Sequence, residues 1–221
     1  MKSRQVPVVS RGIKKMFVKI CGITRIDDAY SCAESGADAI GLNFYHRSKR
    51  FIEFGDAEVI VREVSPYVTT VGIMVQPTMD DVASAIQATG IDAVQIYEPN
   101  FDLRDLVIGK MLYYSARVRN AEDVKLASRI GADLIFLDAF VDGEFGGTGQ
   151  RTDWKAIKLS GIDLSDRFVL SGGLHPENVC EAIQGVGPYG VDTASGVEIS
   201  PGKKDRKKIR EFISNAKQCG S

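Results

Sequence analysis

From Met16 to the C-terminus, short apolar runs alternate with stretches whose apolar residues recur every three or four positions. The runs predict strands near 17–21, 39–45, 68–75, 93–97, 111–117, 134–138, 168–171 and 190–193. The periodic stretches between them predict helices near 26–35, 55–64, 78–89, 102–109, 121–130, 154–160, 177–185 and 204–217. Eight strands, each followed by a helix, is the count of a single (β/α)8 TIM barrel.

A repeated junction supports this count. Gly36-Ala37-Asp38 precedes the second run, Gly90-Ile91-Asp92 the fourth and Gly131-Ala132-Asp133 the sixth, a period of two βα units. Each places a glycine where a helix C-cap is expected, just before a buried strand. A doubly wound open sheet shares part of this pattern. Eight regular units without a GxGxxG fingerprint favour the barrel.

Composition narrows the class. The 221 residues, 44% hydrophobic and 26% charged, are those of an ordinary globular protein, with one barrel domain expected over 16–221. A net charge of −1 gives no basic face for nucleic acid, and no run of about 18 apolar residues suggests a membrane span. Lys2, Arg4, Arg11, Lys14 and Lys15 make residues 1–15 basic, and the expectation there is a disordered extension. Cys21, Cys32, Cys180 and Cys219 contain no CxxC pair and do not cluster with the two histidines. Four free thiols in a reducing cytoplasm, with no metal site, is the simpler expectation.

The chemistry concentrates at predicted strand ends. Lys19 and Cys21 are two apart on the first strand and share a face, and Gly22 then turns the chain toward a helix. A thiol with a cation beside it therefore points to the carboxyl end of the sheet, where such barrels carry their sites. Asp138 ends the sixth strand in the same way, and the glycine-dense stretch Asp142–Gln150 after it reads as a mobile cover. Ser171-Gly172-Gly173-Leu174 and Ala194-Ser195-Gly196-Val197-Glu198 follow the seventh and eighth strands. Glycines on these two loops let backbone N–H groups approach an anion, so Gly172, Gly173, Ser195 and Gly196 are expected to hold a phosphate. Asp192, on the eighth strand, either pairs with Lys19 or orients a substrate.

Taken in order, several motifs resemble one family. They are Lys19-Ile20-Cys21-Gly22-Ile23-Thr24, Arg47-Ser48-Lys49-Arg50, Leu137-Asp138, Gly146-Gly147-Thr148-Gly149 with Asp153-Trp154, Leu170-Ser171-Gly172-Gly173-Leu174 with Pro176-Glu177-Asn178-Val179, and Val191-Asp192 with Ser195-Gly196-Val197-Glu198 and Pro201-Gly202-Lys203-Lys204-Asp205. The family is phosphoribosylanthranilate isomerase, and the resemblance runs from about Met16 to the C-terminus. It implies a cofactor-free Amadori rearrangement in tryptophan biosynthesis, acting on a small phosphosugar-anthranilate substrate in a cytoplasmic monomer or homodimer. It also implies Asp138 as the acid that opens the sugar ring, Cys21 as the base at C2′, and Arg50 as the contact to the anthranilate end. By itself Arg50 reads as one of a solvated basic run.

One position departs from the family. Its usual Val-Gln-Leu-His-Gly is here Val94-Gln95-Ile96-Tyr97-Glu98, so a tyrosine replaces a histidine near the site. Two other readings stand beside the isomerase. The first is a related aldose-ketose isomerase of histidine biosynthesis or a dual-substrate form, against which the thiol of Cys21 argues because carboxylates are expected there at both strand ends. The second is a barrel that binds a phosphorylated ligand without turning it over.

Overall fold

The computed structural model describes residues 16–106, 108–140 and 152–220. The basic stretch 1–15 and the glycine-dense stretch 142–150 lie outside the described residues. Eight strands, β1 (Phe17–Ile20), β2 (Ala39–Asn43), β3 (Thr69–Val75), β4 (Ala93–Tyr97), β5 (Met111–Val118), β6 (Leu134–Ala139), β7 (Phe168–Leu170) and β8 (Gly190–Thr193), close into a barrel in sequence order. Every pairing is parallel, and Lys19 of β1 lies in register with Asp192 of β8 where the barrel closes. Among the described residues seven helices surround it: α1 (Ile26–Glu34), α2 (Phe54–Val64), α3 (Met79–Thr89), α4 (Ala121–Ala127), α5 (Trp154–Leu159), α6 (Val179–Val186) and α7 (Arg206–Cys219).

The barrel is filled from below. Ala39, Val71, Ala93, Tyr113, Phe136 and Val169, one from each of β2 to β7, form a separate interior cluster. The ammonium of Lys19 sits 5.0 Å above the Phe136 ring. Beyond this apolar layer the interior turns polar, with Lys19, Gln95, Ser115, Ser171 and Asp192 all buried. The larger core lies between barrel and helices and includes Ile20, Ile40, Leu42, Ile96, Leu137, Val191 and Phe212.

The repeated junctions are joints between strands. The Asp38 carboxylate accepts from the Val18 amide (2.9 Å), Asp92 from Thr70 (2.9 Å) and Asp133 from Leu112 (2.7 Å). In return the Asp38, Asp92 and Asp133 amides donate to the Val18, Thr70 and Leu112 carbonyls at 2.9, 3.0 and 2.8 Å. Each joint locks an even strand to the odd strand before it, which explains the period of two. The glycines are less uniform. Gly90 caps α3 in the left-handed region and Gly36 follows the cap of α1, whereas α4 ends at Ala127, four residues before Gly131.

The structure corrects two expectations. The helix anticipated at 102–109 is only a 3₁₀ turn, Leu103–Asp105. The Asp102 carboxylate takes the Arg104 amide (2.9 Å), and Val107, Ile108 and Gly109 are weak helix formers. The four thiols are not all free either: Cys180 of α6 and Cys219 of α7 form a disulfide, leaving Cys21 and Cys32. A separation of 39 residues hides the fact that α6 and α7 pack side by side. A small hairpin, β9 (Glu198–Ser200) with β10 (Lys203–Lys204), also lies between β8 and α7 and had no signal in the hydrophobic pattern.

Candidate functional site

At the carboxyl end of the barrel, Cys21, Asn43, Ser48, Arg50, Tyr97, Asp138, Gly172, Gly173, Asp192 and Ser195 line one cleft. It holds about 590 Å3 of empty space, open mouth included. Seven of the eight residues expected from sequence line it. Gly196 stands behind the wall, where a β-carbon would come within 2.0 Å of the Leu174 carbonyl.

Cys21 follows the last residue of β1, and its amide donates to the Thr193 carbonyl at 2.8 Å. Gly22 then turns the chain at φ +73°, and a β-carbon there would lie 2.3 Å from Cδ of Arg50. Only glycine both adopts this conformation and leaves Arg50 its path. The shared face of Lys19 and Cys21 is as the alternation requires. Lys19 is fully buried and donates to Asp192 Oδ1 at 2.9 Å, while Ser171 donates to Asp192 Oδ2 at 3.3 Å. Burial opposes the Lys19 charge, but Asp192 and Cys21 outweigh it and hold the ammonium above its usual range. Of the two readings of Asp192, the pair with Lys19 is the observed contact. Burial dominates at Cys21, whose thiol is pushed up despite the pull of Lys19. The resting sulfur is therefore a thiol at neutral pH, not the thiolate that the neighbouring cation suggests.

Asp138, at the end of β6, is buried, and desolvation pushes its carboxyl up to about 6. The hydroxyl of Tyr97 donates to Oδ2 at 3.0 Å and limits that rise, while the charge of Asp192 adds to it. The Ala139 amide donates to Oδ1 at 2.8 Å. A carboxyl poised near neutrality in a cleft is suited to proton transfer.

The two glycine loops meet beside Asp138. Gly172 turns at φ +86°, and a β-carbon there would fall 2.3 Å from Thr152 Oγ1 and 3.0 Å from Asp138 Oδ1. Thr193 Oγ1 donates to the Leu174 carbonyl at 2.6 Å, tying one loop to the other, and Asn178 Nδ2 holds the Gly173 carbonyl at 2.9 Å. A short 3₁₀ turn, Ser195–Val197, continues the second loop.

Arg50 belongs to the site rather than to a solvated run. Its Nε and Nη2 grip both Glu198 oxygens at 2.8 and 2.7 Å, and its side chain is mostly buried. Glu198 also accepts from Lys204 Nζ at 2.9 Å. The Lys204 ammonium, with no exposed side chain, donates in addition to the Cys21 carbonyl (2.6 Å) and the Ala194 carbonyl (3.0 Å). Burial would raise the Glu198 carboxyl, but the two cations hold it below its usual range. Sequence reasoning named neither Glu198 nor Lys204 as a site residue. Their only signal was membership of the Ser-Gly-Val-Glu and Pro-Gly-Lys-Lys-Asp motifs. Among the described residues no cluster of three or more His, Cys, Asp or Glu is arranged for a metal ion.

Residues 18–215 match the family described as N-(5'phosphoribosyl)anthranilate (PRA) isomerase. The N-(5'-phosphoribosyl)anthranilate isomerase of Geobacter sp. (strain M21) is 40% identical over 202 residues, covering 91% of this chain and 98% of the relative. That of Thermotoga maritima is 43% identical over 208 residues, covering 90% and 98%. The crystal structure of the Thermotoga maritima enzyme superposes with a TM-score of 0.81 at 38% identity, over 92% of this chain and 99% of that one. A phosphoribosyl anthranilate isomerase in complex with reduced 1-(o-carboxyphenylamino)-1-deoxyribulose 5-phosphate superposes at 0.78, with 37% identity and the same coverage. By sequence and by fold, this chain belongs to the N-(5'-phosphoribosyl)anthranilate isomerase family.

Proposed function

We propose that the chain converts N-(5-phosphoribosyl)anthranilate to 1-(2-carboxyphenylamino)-1-deoxyribulose 5-phosphate, with Asp138 as acid and Cys21 as base. The observation that carries the assignment is the pair itself: a carboxyl near 6 and a thiol line the same cleft, beside a two-loop glycine cradle. Asp138 gives its proton to the furanose ring oxygen, the C1′–O bond breaks and a Schiff base forms at C1′. Cys21 takes the proton from C2′, and the electron pair moves to give an enolamine. Tautomerisation then protonates C1′ and releases the proton of the 2′ hydroxyl, so the reaction consumes no proton overall. The competent pair is protonated Asp138 with Cys21 thiolate, the reverse of the resting preference, and Lys19 stabilises the thiolate when it forms.

The amides of Gly172, Gly173, Ser195 and Gly196 receive the phosphate, Arg50 receives the anthranilate carboxylate, and Asp192 serves through Lys19. The relative bound to the reduced product supports a ligand that joins these two ends. A phosphorylated substrate is retained by membranes, which supports a cytoplasmic setting. The Cys180–Cys219 bridge removes the support that free thiols would have lent. The protein acts as a monomer or homodimer, and the Thermotoga maritima relative is described as dimeric.

A fluorescence assay that follows loss of phosphoribosylanthranilate tests the activity. Cys21→Ser and Asp138→Asn should each lower kcat by about 100-fold or more, with KM little changed. A loss confined to KM in Asp138→Asn would make Asp138 a binding residue.

A further inference from the structure

The tyrosine that departs from the family motif touches the proposed acid directly. Tyr97 is buried at the end of β4, and its hydroxyl reaches Asp138 Oδ2 at 3.0 Å. Behind it lies a second buried polar pair. Gln95 Nε2 donates to Ser115 Oγ at 2.8 Å, and Ser115 is the register partner of Tyr97 on β5 and eases the charge on its phenol. A hydroxyl has one proton to give. Tyr97 gives its own to Asp138. Gln95, Ser115 and Asp138 are each at most 5% exposed, so water does not compete for these bonds.

We propose that Tyr97 is a positioning residue for the reaction's acid: its hydroxyl holds Oδ2 of Asp138 and so fixes the rotation of the carboxyl, with Oδ1 turned to the loop of Gly172. Tyr97 at Oδ2 and the Ala139 amide at Oδ1 hold the carboxyl plane from both sides. Each oxygen keeps a lone pair for the proton, and Oδ1 lies next to a loop that lines the cleft. Burial and the nearby carboxylate of Asp138 keep the phenol far above its usual range, so Tyr97 stays a neutral donor at every working pH. An imidazole at the same place would gain charge near neutrality and disturb the acid it touches. The other charged groups near Asp138 are Lys19 from β1 and Asp192 from β8, and Cys21, just after β1, faces Tyr97. Arg117, its register partner on β5, is engaged with Glu98 at 3.1 Å.

This proposal rests on Asp138 being the acid, and the test separates the two. Tyr97→Phe removes one oxygen and keeps the ring. A hydrogen bond donated to a carboxylate favours its ionised form, so the limb of kcat/KM set by Asp138 should move up by about one pH unit. Below that limb Asp138 is protonated in both proteins, and there kcat should fall about tenfold while KM stays within about twofold. Ser115→Ala should shift the limb in the same direction by less, and serves if the phenylalanine variant unfolds. The infrared C=O band of the protonated carboxyl, assigned through its absence in Asp138→Asn, should rise in frequency in both variants. An unchanged limb and an unmoved band in Tyr97→Phe overturn the positioning role. Full turnover in Asp138→Asn overturns the acid assignment instead.

Discussion

The Lys204 ammonium donates to the backbone carbonyl of Cys21 at 2.6 Å, across 183 residues of sequence. The same nitrogen holds the Ala194 carbonyl and Glu198, so one buried cation sets the strand end that carries the thiol, the entry to the second glycine loop and the clamp on Arg50.

Lys204→Met should therefore disturb the site and the fold together. The variant keeps the stem and orphans two carbonyls, which predicts a loss of about 2–4 kcal/mol in thermal unfolding. Phosphate affinity, measured by calorimetry, should fall with it. Unchanged phosphate binding in a destabilised variant would make Lys204 a purely structural cation.

The opposed positions of Asp138 and Cys21 predict a broad pH profile. Raising the pH toward about 6 gains thiolate while Asp138 is still protonated, so kcat/KM climbs. Above that value Asp138 loses its proton as fast as Cys21 sheds its own, and the product of the two fractions is flat. The fall comes only past the raised pKa of the thiol. A profile already falling between about pH 6 and 8 would mean that Cys21 ionises far more easily than its burial allows.

The two ends of the substrate should separate by mutation. Gly173 sits at φ +63°, so Gly173→Val both strains the turn and fills the approach to its amide. It should weaken inorganic phosphate and the reduced product analogue alike, with the fold checked by circular dichroism. Arg50→Ala should weaken the analogue and spare phosphate. Equal loss of phosphate affinity in both variants would show that the two ends are assigned the wrong way round.

The Cys180–Cys219 bridge closes a loop of 39 residues and ties α7 to α6. In the chain-entropy account such a loop contributes about 4 kcal/mol. Cys219→Ala, or reduction, should lower Tm by roughly 10 °C without altering kcat at 25 °C, since neither cysteine lines the cleft. A melting curve with and without reductant decides it.

What was legible in the sequence was what strand alternation and turn chemistry fix locally. The barrel count, the shared face of Lys19 and Cys21, and the glycine loops after β7 and β8 are short-range facts, and the structure places them as expected. The candidate residues Glu198 and Lys204 act on Arg50 and Cys21 from distant parts of the chain, so no local pattern marks them. Tyr97 was visible only as an oddity, because its meaning lies in partners on β5 and β6. The balance at Cys21 was not legible, because a neighbouring lysine is read from spacing whereas desolvation is not. The stretch 102–109 was misread because apolar spacing outvoted a carboxylate that captures its own turn.

The joints made by Asp38, Asp92 and Asp133 divide the barrel into modules. β1 with β2, β3 with β4 and β5 with β6 are each fastened at their starts by the same reciprocal grip, while Tyr189, ahead of β8, gives its amide to the Phe168 carbonyl at 2.9 Å. Chain breaks are then not equivalent around the ring. New termini placed between α2 and β3 leave every fastening inside one piece, whereas termini between α1 and β2 sever a module from its own clasp. Rearranged or split forms of this chain should reassemble along the first kind of seam and fail along the second.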